Sequence, residues 1–333
     1  MSKNLLFFII GNLALFALVY ATRKKHRLNN VLLGCAASFF FLSLIETAYR
    51  NFLRPVNRTV HPNYTMIADT GAQRIDYSHR IGYQNPADPD PQLVFLGCSF
   101  TFGQGVNDSE TLPYKFGALS NVSTLNLGGI GYGIHHVYKL FGDKYANKDS
   151  HHTTFIYTLI PDHILRAAGV YSWSIGPSFQ MAGDSLVNTG TLPPISNRTA
   201  YYSSFFGCYS FIKDMVANIA ENNRAKSLSP GDYEKAYLMI RNLDRGARAT
   251  GGRFLLLFWD NLTKPGDPNR KYHSLLEAAL RQLKADSVTL IRVSDILNTQ
   301  DPKYYLPDDG HPNAMAYDTV ARYLYRNRTY FVR

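Results

Sequence analysis

Three short stretches of the 333-residue chain place side chains where they could do chemistry. In Gly97-Cys98-Ser99-Phe100-Thr101-Phe102-Gly103, one serine stands directly after the apolar run "LVFLG". A serine lifted on a sharp turn at a strand end can act as a nucleophile, with backbone N–H groups nearby to hold an oxyanion. The same residues also read as an ordinary Gly-Ser turn. The second stretch, Asn126-Leu127-Gly128-Gly129-Ile130-Gly131-Tyr132-Gly133, lacks the G-x-G-x-x-G spacing of a dinucleotide site. Its amides could cradle an anion, or it could be a flexible connection. In the third, Pro307-Asp308-Asp309-Gly310-His311-Pro312-Asn313, an aspartate three residues before a histidine can orient the imidazole. That imidazole can then take a serine proton. Alone, the stretch reads as a solvated turn and helix start.

The elements that would position these groups can be read around them. Continuous apolar, β-branched and aromatic runs at 93–97, 122–128, 153–160, 253–259 and 288–293 suit strands covered on both faces. One helix opens at "SPGD", with Ser229 as cap and Pro230 in its first turn, and carries Tyr233, Tyr237, Ile240, Leu243 and Ala247 at helical spacing. A second carries Leu275, Leu276, Ala279, Leu280 and Leu283, and a third, after residue 312, Ala316, Val320, Tyr323 and Leu324. Strands alternating with helices predict an α/β three-layer sandwich on a parallel sheet, and such sheets put their sites at the carboxyl ends of strands. Residues 165–226 read as an insertion over one end of the sheet, and "YQNPADPDPQ" marks 51–91 as linker or loop.

Taken in order, the three stretches resemble the conserved blocks of the SGNH, or GDSL-type, hydrolases. "GCSFTFGQG" is similar to the first block, with Cys98 where Asp is usual; "NLGGIGYG" is similar to the second, matching Gly131; "DDGHPN" is similar to the last, matching Asp308 and His311. The resemblance covers about residues 92–326. It implies a flavodoxin-like α/β/α fold and ester chemistry without a cofactor. Ser99 would be the nucleophile, His311 the base and Asp308 its orienter, with Asp309 the rival orienter. The N–H groups of Ser99 and Gly131 would hold the oxyanion.

One block departs from the family. Where the third should read Gly-x-Asn-Asp, the chain has "IPDHILR", residues 160–166, with Asp162 at the Asn position. An ionised aspartate has no hydrogen to donate and would repel an oxyanion. Either His163 or another group substitutes, or Asp162 is held protonated, or the site is weak or inactive. In that last case the domain would be a module for glycan binding or membrane-complex assembly. The pairs His135-His136 and His151-His152 lack zinc-site spacing, so no metal is expected. The aromatic stretch 201–211 could line a groove or fill the core.

Composition narrows the setting. Hydrophobic residues make up 45% of the chain, ample for a large core. The net charge of +10 is not spread evenly: eight basic residues against Glu46 in the first 60 carry +7 of it, leaving +3 for the rest. No broad cationic face is indicated, so no nucleic-acid partner is expected. Three cysteines, Cys35, Cys98 and Cys208, make no disulfide scaffold, though the last two could pair in an oxidising compartment.

Two apolar runs, about 5–21 and 31–49, are long enough for membrane helices, and "TRKKHRLNN" between them permits a hairpin anchor. Charges on the two sides balance four against four, and their density in the short loop favours a cytoplasmic loop. The domain at 92–330 would then be periplasmic or extracellular, which the seven N-x-S/T sequons fit. The expectation is a membrane-anchored esterase or O-acyltransferase acting on an acyl ester, such as an acetyl ester, of an envelope glycan. A polytopic membrane acyltransferase would be its natural partner at the anchor.

Overall fold

The computed structural model describes residues 12–15, 17–22, 24, 26–48, 66–67, 79–170, 175–192, 228–260, 273–307 and 310–330. The chain divides into two units, residues 1–56 with 197–220, and residues 57–196 with 221–333. In the first, helix α1 spans His26–Ala48 and covers most of the second apolar run. Val31, Leu33, Phe40, Phe41, Leu44 and Ile45 on it are exposed. Asn12 Nδ2 donates to Ser43 Oγ at 3.3 Å. Among the described residues, no helix is long and apolar enough to cross a membrane.

The second unit is built on one sheet. Its strands are β1 (Met66–Ile67), β2 (His79–Arg80), β3 (Leu93–Gly97), β4 (Thr124–Gly128), β5 (Thr154–Leu159), β8 (Arg253–Phe258) and β9 (Thr289–Arg292). They lie in the order β1-β2-β4-β3-β5-β8-β9. The five from β4 to β9 are mutually parallel, while β2 runs antiparallel to β4 and β1 to β2. All residues of β3 and β5 are buried. This is why those runs lack the polar alternation of a half-exposed strand. Numbered among themselves, the parallel strands have the order 2-1-3-4-5, the flavodoxin-like arrangement, whose ligand crevice opens between the first and third strands. Here those are β3 and β5.

The parallel strands fall where the apolar runs placed them, each within two residues at either end. Helices α2 (Ser99–Phe102), α3 (Leu112–Ser120), α4 (Ile134–Tyr145), α5 (Asp162–Ala167), α6 (Pro230–Ala249), α7 (His273–Ala285) and α8 (Ala314–Arg326) connect or cover them. The Ser229 cap of α6 is closed by Asp232, which accepts the Ser229 N–H at 2.9 Å. Leu276, Leu280 and Leu283 form the buried face of α7, and Ala316, Val320 and Leu324 that of α8.

Within the predicted insertion, β6 (Gly176–Ala182) and β7 (Ser185–Leu192) pair as a separate antiparallel hairpin. The aromatic stretch 201–211 and Cys208 lie outside the described residues. Cys98 is a free, buried thiol whose pKa is raised by burial.

Part of the stretch 51–91, read as linker or loop, is fastened to the sheet. Residues 79–91 are tied into the sheet: Arg80 pairs with Asn126, the Tyr83 N–H donates to Thr124 Oγ1 at 2.8 Å, and the Asn85 N–H to Ser123 Oγ at 2.8 Å. A two-residue strand is too short to show periodicity, and the Pro-rich stretch beside it dominates the local signal.

Candidate active site

The turn that carries Ser99 is dictated by its glycines. Gly97 closes β3 with φ 153°, and a Cβ there would lie 2.1 Å from Thr101 Oγ1. Only glycine lets the chain turn sharply enough for Thr101 to fold back and donate to the Leu96 carbonyl at 3.2 Å. Cys98 stays extended, and α2 begins at Ser99 as a single turn that ends at Gly103 in the left-handed conformation, φ 79°. Ser99 is thus held at the start of a helical turn above the carboxyl end of β3. It is only 5% exposed.

Arg80 braces this turn from behind. Its side chain is fully buried. Nε donates to Asp108 Oδ1 at 2.6 Å, Nη1 to the carbonyls of Phe102 (3.1 Å) and Gly103 (2.5 Å), and Nη2 to that of Val106 (2.5 Å). The guanidinium also lies 5.3 Å from the centre of the Phe102 ring. Sequence reasoning missed this residue because nothing in its neighbours marks it.

His311 arrives from 212 residues away, and its Nε2 lies 2.8 Å from Ser99 Oγ. Its loop is folded back on itself, since the Leu306 N–H donates to the His311 carbonyl at 2.8 Å. Asn313 then caps α8 by accepting from the N–H groups of Met315 and Ala316. The ring packs on Phe100, the residue after the serine, at 5.4 Å between centroids. Tyr317 of α8 donates to the Phe100 carbonyl at 2.8 Å, which ties the histidine-bearing helix to the serine-bearing one. Asp308 and Asp309, the two candidate orienters, lie outside the described residues.

The Gly-rich loop after β4 is an ordered turn rather than a flexible connection. The Tyr132 N–H donates to the Gly129 carbonyl at 3.1 Å, and Gly131, third in that turn, has φ 81°. A left-handed third residue defines a type II turn, for which glycine is required. The turn closes through Tyr132, so the Gly131 N–H is not consumed by it. The Gly129 N–H donates to the Gly97 carbonyl at 3.1 Å, fastening this loop to the strand that carries Ser99.

Asp162 is the first residue of α5. Its side chain is 43% exposed and its Oδ2 lies 3.8 Å from Arg166 Nη2. His163, offered by the sequence as a substitute oxyanion donor, lies within α5. It is fully buried, its Nδ1 lies 2.7 Å from the Tyr157 hydroxyl, and its ring stacks on that of Tyr157. Burial, reinforced by Arg166, holds its pKa well below the ordinary histidine value, so it is neutral. His135 and His136 are likewise buried, and among the described residues no group of three His, Cys, Asp or Glu side chains is arranged to hold a metal ion.

No family model and no curated protein matches the chain. Solved structures do. A lipolytic protein of the G-D-S-L family from Desulfitobacterium hafniense matches at 14% identity and a TM-score of 0.41, over 71% of this chain and 99% of that one. A member of the same lipolytic family from Veillonella parvula matches at 12% identity and 0.43, over 72% and 99%. An acetyl xylan esterase from Butyrivibrio proteoclasticus matches at 9% identity and 0.40, over 78% and 68%.

Proposed function

We propose that the chain is an SGNH-type serine esterase or O-acyltransferase. The observation that carries this reading is the 2.8 Å contact between Ser99 Oγ and His311 Nε2 at the carboxyl end of a parallel sheet. In the proposed cycle Nε2 takes the Ser99 proton as Oγ attacks the ester carbonyl. The ring's other proton stays on Nδ1, where the carboxylate of Asp308 or Asp309 would accept its hydrogen bond. The new oxyanion is held by the N–H groups of Ser99 and Gly131. Collapse expels the alcohol, which takes the proton back from Nε2, and leaves an acyl-Ser99. Water or a sugar hydroxyl, deprotonated by the same imidazole, then takes the acyl group, and the imidazole returns the proton to the departing Ser99 Oγ.

The substrate we propose is an acyl ester, such as an acetyl ester, of an envelope glycan. This rests on location: the apolar runs at 5–21 and 31–49 and the exposed apolar side chains of α1 support a membrane anchor, and the basic loop between the runs supports a catalytic domain outside the cytoplasm. A polytopic acyltransferase at that anchor would supply acyl groups in the transferase version. A second reading, a catalytically weak module for glycan binding or assembly, is favoured by Asp162, whose carboxylate offers no donor where the family places an Asn.

The deciding experiment is p-nitrophenyl acetate hydrolysis and fluorophosphonate labelling of the purified full chain, wild type and Ser99→Ala. Turnover and labelling of the wild type, both lost in Ser99→Ala, are expected. A folded wild type that neither labels nor turns over ester would shift the assignment to the binding module.

A further inference from the structure

The peptide plane that follows the Gly131 turn is gripped at both edges by buried side chains. On one edge, Arg166 Nη1 donates to the Tyr132 carbonyl at 2.5 Å. On the other, the Gly133 N–H donates to His136 Nδ1 at 3.1 Å. Carbonyl and N–H belong to the same peptide unit, and the two side chains come from different elements, α5 and α4. His136 is itself fixed, because its Nε2 donates to the Ile175 carbonyl at 3.1 Å and its ring stacks on Tyr132 at 4.6 Å and 8°. Arg166 is 5% exposed, and its Cβ packs so closely on Gly133 that a Cβ there would come within 2.8 Å.

A turn that only had to connect β4 to α4 needs none of this. Placing a guanidinium under one carbonyl in the interior is costly unless its geometry is used. The peptide it fixes is two links from the Gly131 N–H, and the intervening link is pinned by the Tyr132-to-Gly129 hydrogen bond. Arg166 also sits one helical turn after Asp162 and 3.8 Å from its carboxylate, so its charge offsets a carboxylate that stands where the resemblance puts an oxyanion donor. The crevice of such a sheet lies between β3 and β5, and α5 follows β5 directly.

We propose that Arg166 is a positioning residue for acyl transfer: by holding the Tyr132 carbonyl opposite His136 it aims the Gly131 N–H at the oxyanion, and by pairing with Asp162 it makes that carboxylate tolerable there. The proposal rests on the acyl-transfer reading of Ser99. It acts through the backbone, so a lysine, which keeps the charge but not the fork, cannot fully replace it.

The test compares full-chain wild type, Arg166→Met and Arg166→Lys by two measurements. The first is ester turnover per fluorophosphonate-titrated site. For Arg166→Met, kcat per titrated site is expected to fall by about 100-fold, the size of losing one oxyanion donor, with KM unchanged and Arg166→Lys in between. A purely structural role would lower the titre of sites and leave turnover per site within about threefold of wild type, which would overturn the proposal. The second is hydrogen exchange, which needs no ester activity. Amides of 129–133 are expected to exchange about tenfold faster in Arg166→Met while those of β3 and β8 stay protected. Unchanged loop exchange would also overturn it. If the wild type turns over no ester, the esterase assignment falls and loop exchange alone decides whether Arg166 positions the turn.

Discussion

Replacing Arg80 by methionine keeps most of the side-chain volume and removes four hydrogen bonds at once. Three of the acceptors left behind are the carbonyls of Phe102, Gly103 and Val106, and the fourth is the Asp108 carboxylate. Removing one partner of a fully buried ion pair costs about 3–5 kcal/mol. Asp108 is 23% exposed and regains part of its hydration, which lowers that figure. Each carbonyl loses a bond to a charged donor, worth about 1.5–3 kcal/mol, though water entering the space and the loop's own relaxation recover some of it. The losses share one site and do not add. A net destabilisation of about 4 kcal/mol is expected, which for a domain of this size lowers Tm by roughly 12 °C.

The same loss reaches the chemistry. The carbonyls of Phe102 and Gly103 sit where α2 ends, and the N–H groups of Gly103 and Gln104 both close onto the Ser99 carbonyl at 2.9 and 3.0 Å. Loosening that end lets Ser99 shift against His311, and a shift near 1 Å costs about 100-fold in rate. Differential scanning calorimetry and ester turnover per titrated site, measured well below the variant's Tm, read the two effects separately. Arg80→Lys is expected to recover less than half of the Tm, since one ammonium does not reach four acceptors. A Tm within about 3 °C of wild type for Arg80→Met would refute the reasoning, because it would mean that the 102–106 loop finds equivalent partners without the guanidinium.

Gly97→Ala should destabilise by about 3 kcal/mol, from the glycine-only φ together with the overlap on Thr101, and should abolish fluorophosphonate labelling of the remaining folded protein. Urea denaturation with labelling checks it, and a wild-type midpoint would show that α2 tolerates a different entry. Stability should also fall on acidification. His136 is held at about 4 by burial, partly opposed by its bond to Ile175 and assisted by Arg166, against 6.5 in the unfolded chain. Between those values the unfolded chain binds a proton that the folded one refuses, so unfolding free energy drops by about 3 kcal/mol from pH 6.5 to 4 and is flat with respect to this group above. His135 and His163, also lowered by burial, act in the same direction. Urea midpoints that stay constant or rise as pH falls through this window would contradict the assignment.

What was legible in the sequence follows from how each feature is encoded. Strands β3, β5 and β8 are buried almost throughout, so each appears as a run of apolar, β-branched and aromatic residues without polar alternation, and the Ser229 cap is written in a residue whose type specifies the job. Ser99 and His311 could be paired only through their order in a pattern, since 212 residues separate them. Arg80 and Arg166 left no signal. Each works by donating to backbone carbonyls, and a carbonyl is present at every position whatever the side chain. The burial of His163 left no signal either. "PDHILR" looks like a loop because Pro161 interrupts the apolar run, yet Pro161 serves as the N-cap of α5 and turns the histidine inward.

The buried histidines and the proposed role of Arg166 are two aspects of one constraint. His136 accepts the Gly133 N–H through Nδ1, so it holds the loop only while that nitrogen carries no proton. Burial, and to a lesser degree a guanidinium in the same cluster, lower the pKa of His135, His136 and His163, so the rings stay neutral while Arg166 grips the opposite edge of the same peptide. Were Arg166 neutral or absent, His136 would protonate at a higher pH, the Gly133 N–H would lose its acceptor, and both edges of the plane would be released together. The loop is therefore expected to fail as a unit rather than by degrees. An Arg166→Met protein should lose its turnover per site on acidification at a higher pH than wild type, and an acid limb at the wild-type pH would contradict this coupling.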